Sequence, residues 1–227
     1  MADDATVTIR KNFPRPTAAE IERFHGLPSG WVVDANGRRG AIDHRIRPMT
    51  PVTPFVGVAL TVATAPNDNL LAYAGVSIAQ PGDVLFIGTE DFEGAAVIGD
   101  IFGGFAKNKG LSAVITDGLI RDLDGLEVLD LPFFARGVSP NSPQKKGLGE
   151  IGTGVSLGGV RIESGDIVVG DRDGVVVVPR GEISNVLTAV DAIRTKEKGM
   201  EEAIAGGATE PPWLHELLDR AGTRYID

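Results

Sequence analysis

Short Val/Ile-rich runs recur along the chain, and each is soon interrupted by Gly, Pro, Asn or Asp. Apolar runs bounded by turn residues predict strands, whereas apolar positions three and four apart predict helices. On this pattern "PFVGVALTVAT" (54–64), "PGDVLFIG" (81–88) and "SAVIT" (112–116) are strands, with "NDNLLAYAGVSIA" (67–79) a helix between the first two. Apolar residues at 98, 101, 102, 105 and 106 predict a further helix that ends at Gly110. Upstream, "TAAEIERFHGLP" (17–28) predicts a helix with Thr17 as N-cap, Glu20 completing a capping box, and Gly26 and Pro28 ending it. "GWVVDANG" (30–37) then predicts a short strand and turn.

The second half is richer in turns. "GVSLGGVRIESGDIVVGDRDGVVVVP" (154–179) predicts three or four strands punctuated by Ser-Gly-Asp and Asp-Gly turns. Ile183, Val186, Val190 and Ile193 then share one helical face, and the next position of that stripe is Glu197. "AIAGGATEPP" (203–212) is the one segment that looks flexible, and "PPWLHELLDRAGTRYID" (211–227) predicts a short amphipathic helix. Strands interleaved with helices place the chain in the α/β or α+β class.

Composition narrows this further. A chain of 227 residues with 42% hydrophobic content can bury a sizeable core and fits one domain. The formal net charge of −9 argues against nucleic acid as a partner, because gripping phosphates needs a basic face. There is no cysteine, so disulfides and thiolate chemistry are excluded, and His25, His44 and His215 lack metal-ligand spacing. The N-terminus has no apolar core of a signal peptide, and no stretch has the length of apolar sequence that a membrane span requires. The expectation is a cytoplasmic protein with no membrane partner. "GLGEIGTG" and "GDIFGGFAKNKG" match neither a Walker nor a dinucleotide fingerprint.

Charge nevertheless gathers in one place. "GLSAVITDGLIRDLDGL" (110–126) runs from a buried strand straight into Asp117, Arg121, Asp122 and Asp124. Ligands in α/β proteins collect beyond the carboxyl ends of strands, and there Arg121 offers a planar donor fork and Asp122 a hard oxygen for Mg²⁺ or Mn²⁺. The plain alternative is a solvated turn with a local ion pair. In "AAVIGDIFGGFAKNKG" (95–110), Gly99-Asp100 precedes the predicted helix and Gly103-Gly104 fall in its first turn. Each Gly inside a helix costs about 1 kcal/mol relative to Ala, so the pair suggests a close approach to the backbone. The helix-terminal amides would suit a small carboxylate, or Asp100 is simply the N-cap. Asp34 at the end of "GWVV" and Glu197 on an apolar stripe are carboxylates in apolar settings, open to turn chemistry and helix fraying respectively.

Taken together, "GDIF", "ITDGLIRDLDG", "LPFFARGVSP", "GGVRIESGDIVVGDRDGVVVVP" and "AIRTKE" resemble, in that order, the family of 4-hydroxy-4-methyl-2-oxoglutarate aldolase and the regulator of ribonuclease E activity A. The DG-x-x-RD-x-x-G and GD-x-DGVVV-P segments together carry the likeness, which spans residues 15–200 and leaves 1–14 as an N-terminal arm and 201–227 as a linker and short helix. The resemblance implies a single-domain swivelling β/α sandwich. It implies a class II, divalent-metal-dependent pyruvate aldolase that also decarboxylates oxaloacetate, assembled as a homotrimer or homohexamer with sites between subunits. By position, Asp122 would hold Mg²⁺ (or Mn²⁺), and Arg121 would bind the oxygen that becomes the enolate. The backbone amides around Ile101 and Phe102 would hold the substrate's carboxylate, Gly99 and Asp100 would also line the substrate, and Asp100 would lie near metal-bound water and assist proton transfer. Asp34 and Glu197 would reach the site from a neighbouring subunit, and Lys145 matches a basic residue there.

Two departures stand out. The family often has Glu where this chain has Asp100, and Leu-Leu or Leu-Ala where it has Ile101-Phe102. The same family contains ribonuclease-binding members, so a non-catalytic regulator is the alternative reading.

Overall fold

The computed structural model describes residues 7–51 and 54–226. Among these, nine strands form one mixed sheet and three more form a small parallel sheet beside it. The long apolar strand Phe55–Thr64 is central. It pairs parallel with Asp83–Gly88 on one side and antiparallel with Ile167–Gly170 and Gly149–Ile151 on the other. Ala113–Thr116 and Phe133–Ala135 continue the parallel series, and Arg47–Pro48 closes that edge. The fold is therefore mixed α/β.

The helices cover one face of the sheet. Leu70–Ile78 and Asp100–Lys109 bury Leu71, Ala72, Val76, Phe102 and Ala106 against Leu60, Val62, Leu85 and Val114. The opposite face is closed by the hairpin Gly154–Leu157/Val160–Glu163, with Val155, Leu157 and Ile162 packed on Phe86 and Ile115. A third apolar cluster joins Val32 to Ile183, Val186, Leu187 and Val190 of the long helix Ile183–Ala205.

Several local signals give the elements they predict. Thr17 and Glu20 form the reciprocal capping box, although the helix they start is short, Ala18–Glu22. Gly110 ends the helix Asp100–Lys109 in the left-handed conformation, at φ 81°. The strands of the second half are Gly154–Leu157, Val160–Glu163, Ile167–Gly170 and Val175–Val178. The tail helix is Leu214–Arg220.

One element differs in kind. Residues 30–37, expected as strand and turn, form the helix Ser29–Ala35, so Asp34 lies in a last helical turn and not at a strand end. The buried positions Ser29, Val32 and Asn36 follow a helical period, but two of them are polar and hid it. Long-range bonds satisfy them. Ser29 donates through N–H and Oγ to the Asp171 carboxylate at 2.8 Å each, and Asn36 Nδ2 donates to the carbonyls of Arg39 and Val177.

Val7–Ile9, within the expected arm, pairs with Gly149–Ile151, and the long helix runs unbroken through residue 200.

Candidate active site

Three strands of the main sheet each continue, after a short break, into the small parallel sheet. Asp83–Gly88 leads to Ala96–Ile98, Ala113–Thr116 to Leu119–Ile120, and Phe133–Ala135 to Gly137–Val138. Neighbours in the main sheet stay neighbours in the small one. The carboxyl ends of the small strands therefore lie side by side. The residues that follow them are Gly99-Asp100, Arg121-Asp122 and the segment leading to Ser142 and Lys145.

These residues line one cleft of about 180 Å³. Ile98 pairs with Ile120, and the Arg121 N–H donates to the Ile98 carbonyl at 3.1 Å, which brings Gly99 against the Arg121-Asp122 pair. A Cβ on Gly99 would collide with Asp122 Oδ2 and lie 3.1 Å from Arg121 Cγ. Arg121 is pinned at both ends of its guanidinium: Nε donates to Asp122 Oδ2 at 3.1 Å, and Nη1 to Ser142 Oγ at 2.5 Å.

Asp122 takes the left-handed conformation, φ 57° and ψ 45°, which a non-glycine residue adopts at a cost of about 1–3 kcal/mol. It precedes the helix Leu123–Glu127 yet makes no side-chain cap. Its carboxylate instead faces Arg121 and the cleft.

The N-cap of the helix Asp100–Lys109 is Gly99, so Asp100 is its first residue and not its cap. The Asp100 carboxylate accepts from its neighbour's amide, Ile101 N–H, at 2.7 Å. One amide expected to take a ligand's carboxylate is thus held by an internal carboxylate. Phe102 is fully buried, with Tyr73 packed edge-on at 5.3 Å, whereas Ile101 is exposed.

The pair Gly103-Gly104 has a different explanation from the one its sequence suggests. A Cβ on Gly103 would lie 2.6 Å from both Leu126 Cδ2 and Leu129 Cδ1, so helix packing, not a ligand, makes the close approach. Gly104 faces open space. Asp117 likewise serves structure. It is buried and accepts from Thr89 N–H at 2.7 Å, Thr89 Oγ1 at 2.9 Å and Asp91 N–H at 3.2 Å. Burial pushes its carboxyl above the ordinary range while those donors pull it back.

Asp34 and Glu197 do not join the cleft within one chain. Asp34 is exposed and lies 4.0 Å from Arg38, and Glu197 accepts from Trp31 Nε1 at 2.7 Å. Glu197 sits well inside the long helix, which rules out fraying as its explanation. Lys145 does line the cleft, with Nζ 5.9 Å from the centre of the Tyr73 ring.

Among the polar lining residues, Asn69, Tyr73 and Ser142 escaped the sequence reading. The register between Ala96 and Ile98 shifts at Val97, and Asn69 Nδ2 donates to the Val97 carbonyl at 2.9 Å. Asn69 Oδ1 is buried without a partner among the described residues. Nothing local marks Asn69 except its place just before a helix.

The RraA-like family model, described as Aldolase/RraA, matches residues 29–177. A protein of Halalkalibacterium halodurans named "Putative 4-hydroxy-4-methyl-2-oxoglutarate aldolase" is 35% identical over 185 residues, covering 82% of this chain and 88% of its own. Among solved structures, an uncharacterized protein from Pseudomonas syringae pv. tomato has a TM-score of 0.75 at 26% identity, over 87% of this chain and 97% of its own. Streptomyces coelicolor RraAS2, described as an unusual member of the RNase ES inhibitor RraA protein family, gives 0.73 at 25% identity, over 85% and 98%.

The Gly99 contact separates stability from ligand geometry. In Gly99→Ala the Asp122 carboxylate must turn away. That breaks a half-exposed ion pair worth at most about 1 kcal/mol, so the melting temperature should barely move. If Asp122 is the metal ligand that the resemblance implies, Mn²⁺ or Mg²⁺ affinity, measured by calorimetry, should fall about tenfold or more, the scale for a misoriented ligand. Gly104→Ala, with open space around it, should keep full affinity and gain up to about 1 kcal/mol of helix stability. Equal affinities in the two variants would show that the Gly99 approach does not orient Asp122.

Proposed function

The chain belongs to the RraA-like family, and from that premise we propose that it is a divalent-metal-dependent lyase of 2-oxo acids. Its reactions would be the cleavage of a 4-hydroxy-2-oxo acid to pyruvate plus a carbonyl product, and the decarboxylation of oxaloacetate. The observation that carries this reading is the cleft itself. It sets a pinned guanidinium, a strained carboxylate with no capping role, and the first amides of a helix around a space fit for a small acid.

Asp122 and Asp100 are the carboxylates of the cleft, and no cluster of three or more His, Cys, Asp or Glu joins them among the described residues. One or two hard oxygens suit Mg²⁺ or Mn²⁺, which keep several waters when bound. Asp122 would hold the ion. A bound divalent cation would supply Lewis-acid polarisation of the substrate's ketone.

The rest falls to the chain's own groups. Both reactions break a carbon–carbon bond at the carbon beside the ketone and leave its electron pair as a pyruvate enolate. Arg121 would face the oxygen on which that charge develops, held in place by Asp122 and Ser142 before the substrate arrives. The substrate's carboxylate would dock on the Ile101 and Phe102 amides at the helix terminus. It would displace Asp100 from Ile101 N–H, and the freed carboxylate could then accept the hydroxyl proton in aldol cleavage. A proton must also return to the enolate carbon. Decarboxylation skips the hydroxyl step and releases CO₂, so it should be the more permissive activity.

Asp34 and Glu197 fit as carboxylates presented to a neighbouring subunit's cleft in a trimer or hexamer. Light scattering at micromolar concentration should then report three or six copies. A monomer would leave both residues outside any site.

The other reading, a non-catalytic regulator of a ribonuclease, draws on the inhibitor relative named above. It requires no turnover. Oxaloacetate decarboxylation, followed with Mg²⁺ and with EDTA, separates the two. Under the lyase reading Arg121→Ala should lower kcat/KM by about two or more orders of magnitude, the scale for losing one preorganised donor. Arg121→Lys should recover only part, because a point charge lacks the two-pronged fork. Asp122→Asn should lose metal-dependent turnover with the fold retained. Near-normal turnover in Arg121→Ala would return the pair to turn chemistry.

A further inference from the structure

Beside the cleft lies a buried carboxylate that none of the preceding chemistry uses. Asp68 is 4% exposed, and its carboxylate is bound by backbone amides. Oδ1 accepts from Leu70 N–H at 2.9 Å, at the start of the helix Leu70–Ile78. Oδ2 accepts from the amides of Lys146 and Gly147, the latter at 3.2 Å. The bonds to Lys146 and Gly147 join segments 78 and 79 residues apart in sequence.

The grip continues on either side. Gln144 N–H donates to the Asn67 carbonyl at 2.8 Å, and Asn69 N–H to the Gln144 carbonyl at 3.0 Å, a parallel bridge centred on Asp68. Gly147 turns the chain away in the left-handed conformation, φ 73°. The residue caught between Gln144 and Lys146 is Lys145, which with Arg121 supplies the cations lining the cleft. Lys145 is exposed and makes no ion pair among the described residues, so its position rests on its backbone and on the Tyr73 ring.

We propose that Asp68 is a positioning residue: it clamps the 144–147 loop to the helix start and so holds Lys145 over the cleft for an anionic substrate. A burial this deep needs strong acceptor bonds, and a carboxylate can serve three amides where a carboxamide oxygen cannot. Asn69, the next residue, lines the same cleft, so the clamp sets both walls from one point. The inference rests on the lyase reading, because it takes the cleft as the substrate site.

The test is a double-mutant cycle on oxaloacetate decarboxylation with saturating Mg²⁺. Asp68→Asn keeps the shape but leaves one acceptor oxygen for three amides, so a donor must face either the loop amides or Leu70 N–H and one side of the clamp is lost. It should raise KM about tenfold with kcat within about threefold, as should Lys145→Ala, and the double variant should be no worse than either single, because coupled residues are not additive. Additive KM effects, or a loss confined to kcat, would overturn the proposal. Where Asp68→Asn fails to fold, Lys146→Pro removes the same hydrogen bond from the loop's side and enters the cycle in its place. Wild-type protein without turnover would defeat the lyase reading, and the cycle is then read on the Kd for pyruvate. There, coupled losses would support the clamp, and additive losses or no binding would overturn it.

Discussion

The pairing of Ile98 with Ile120 is the constraint on which the rest of the cleft depends. Parallel strands that end in register deliver the residues after them to the same edge. Gly99 thereby meets Arg121 and Asp122, and only the missing Cβ at Gly99 lets them come so close. The same register shift that makes the fit leaves the Val97 carbonyl to Asn69 and so brings a second wall into place. Asp122 is left in a strained backbone conformation. Its surroundings hold it there because the strand before it and the helix after it are both fixed by packing, through Ile120 and Leu126.

The density of charge after an apolar strand resolves into separate tasks. Asp117 turns inward and ties the loop after Asp83–Gly88 through Thr89 and Asp91. Arg121 and Asp122 turn to the cleft. Asp124 stands exposed in the first turn of the next helix, where a negative charge is favoured by the helix dipole. Family membership alone would not have separated these roles, because a fold carries many functions and the site decides among them.

What was legible in the sequence was what short-range chemistry determines. The capping box at Thr17 and Glu20, the Gly110 terminus and the Ser-Gly-Asp turn at 164–166 each depend on a few neighbouring residues, and all are found. The Arg121-Asp122 pair and the Gly99–Phe102 segment were legible through their motif, and the fold brings them together. The failures share one cause. The helix Ser29–Ala35 starts at a serine whose free amide and hydroxyl are satisfied by Asp171, far along the chain, and it packs Val32 against the equally distant Val186. Gly103 is small because Leu126 and Leu129 press on it. Asn69 and Asp68 acquire their roles only when Val97 and the 144–147 loop arrive. Asp34 and Glu197 lie away from the cleft of their own chain, and only a second copy would bring them to one.

The central claim is that this cleft stabilises a pyruvate enolate. Methyl exchange tests it without an aldol substrate, because an enzyme that forms the enolate must let the carbon-bound protons of pyruvate trade with solvent. Proton NMR of pyruvate in D₂O with Mg²⁺ should show the methyl signal fall in the presence of the protein, far faster than in its absence. EDTA should stop the exchange. A methyl signal that persists at the uncatalysed rate, under conditions where pyruvate binding is measured directly, would contradict the enolate account.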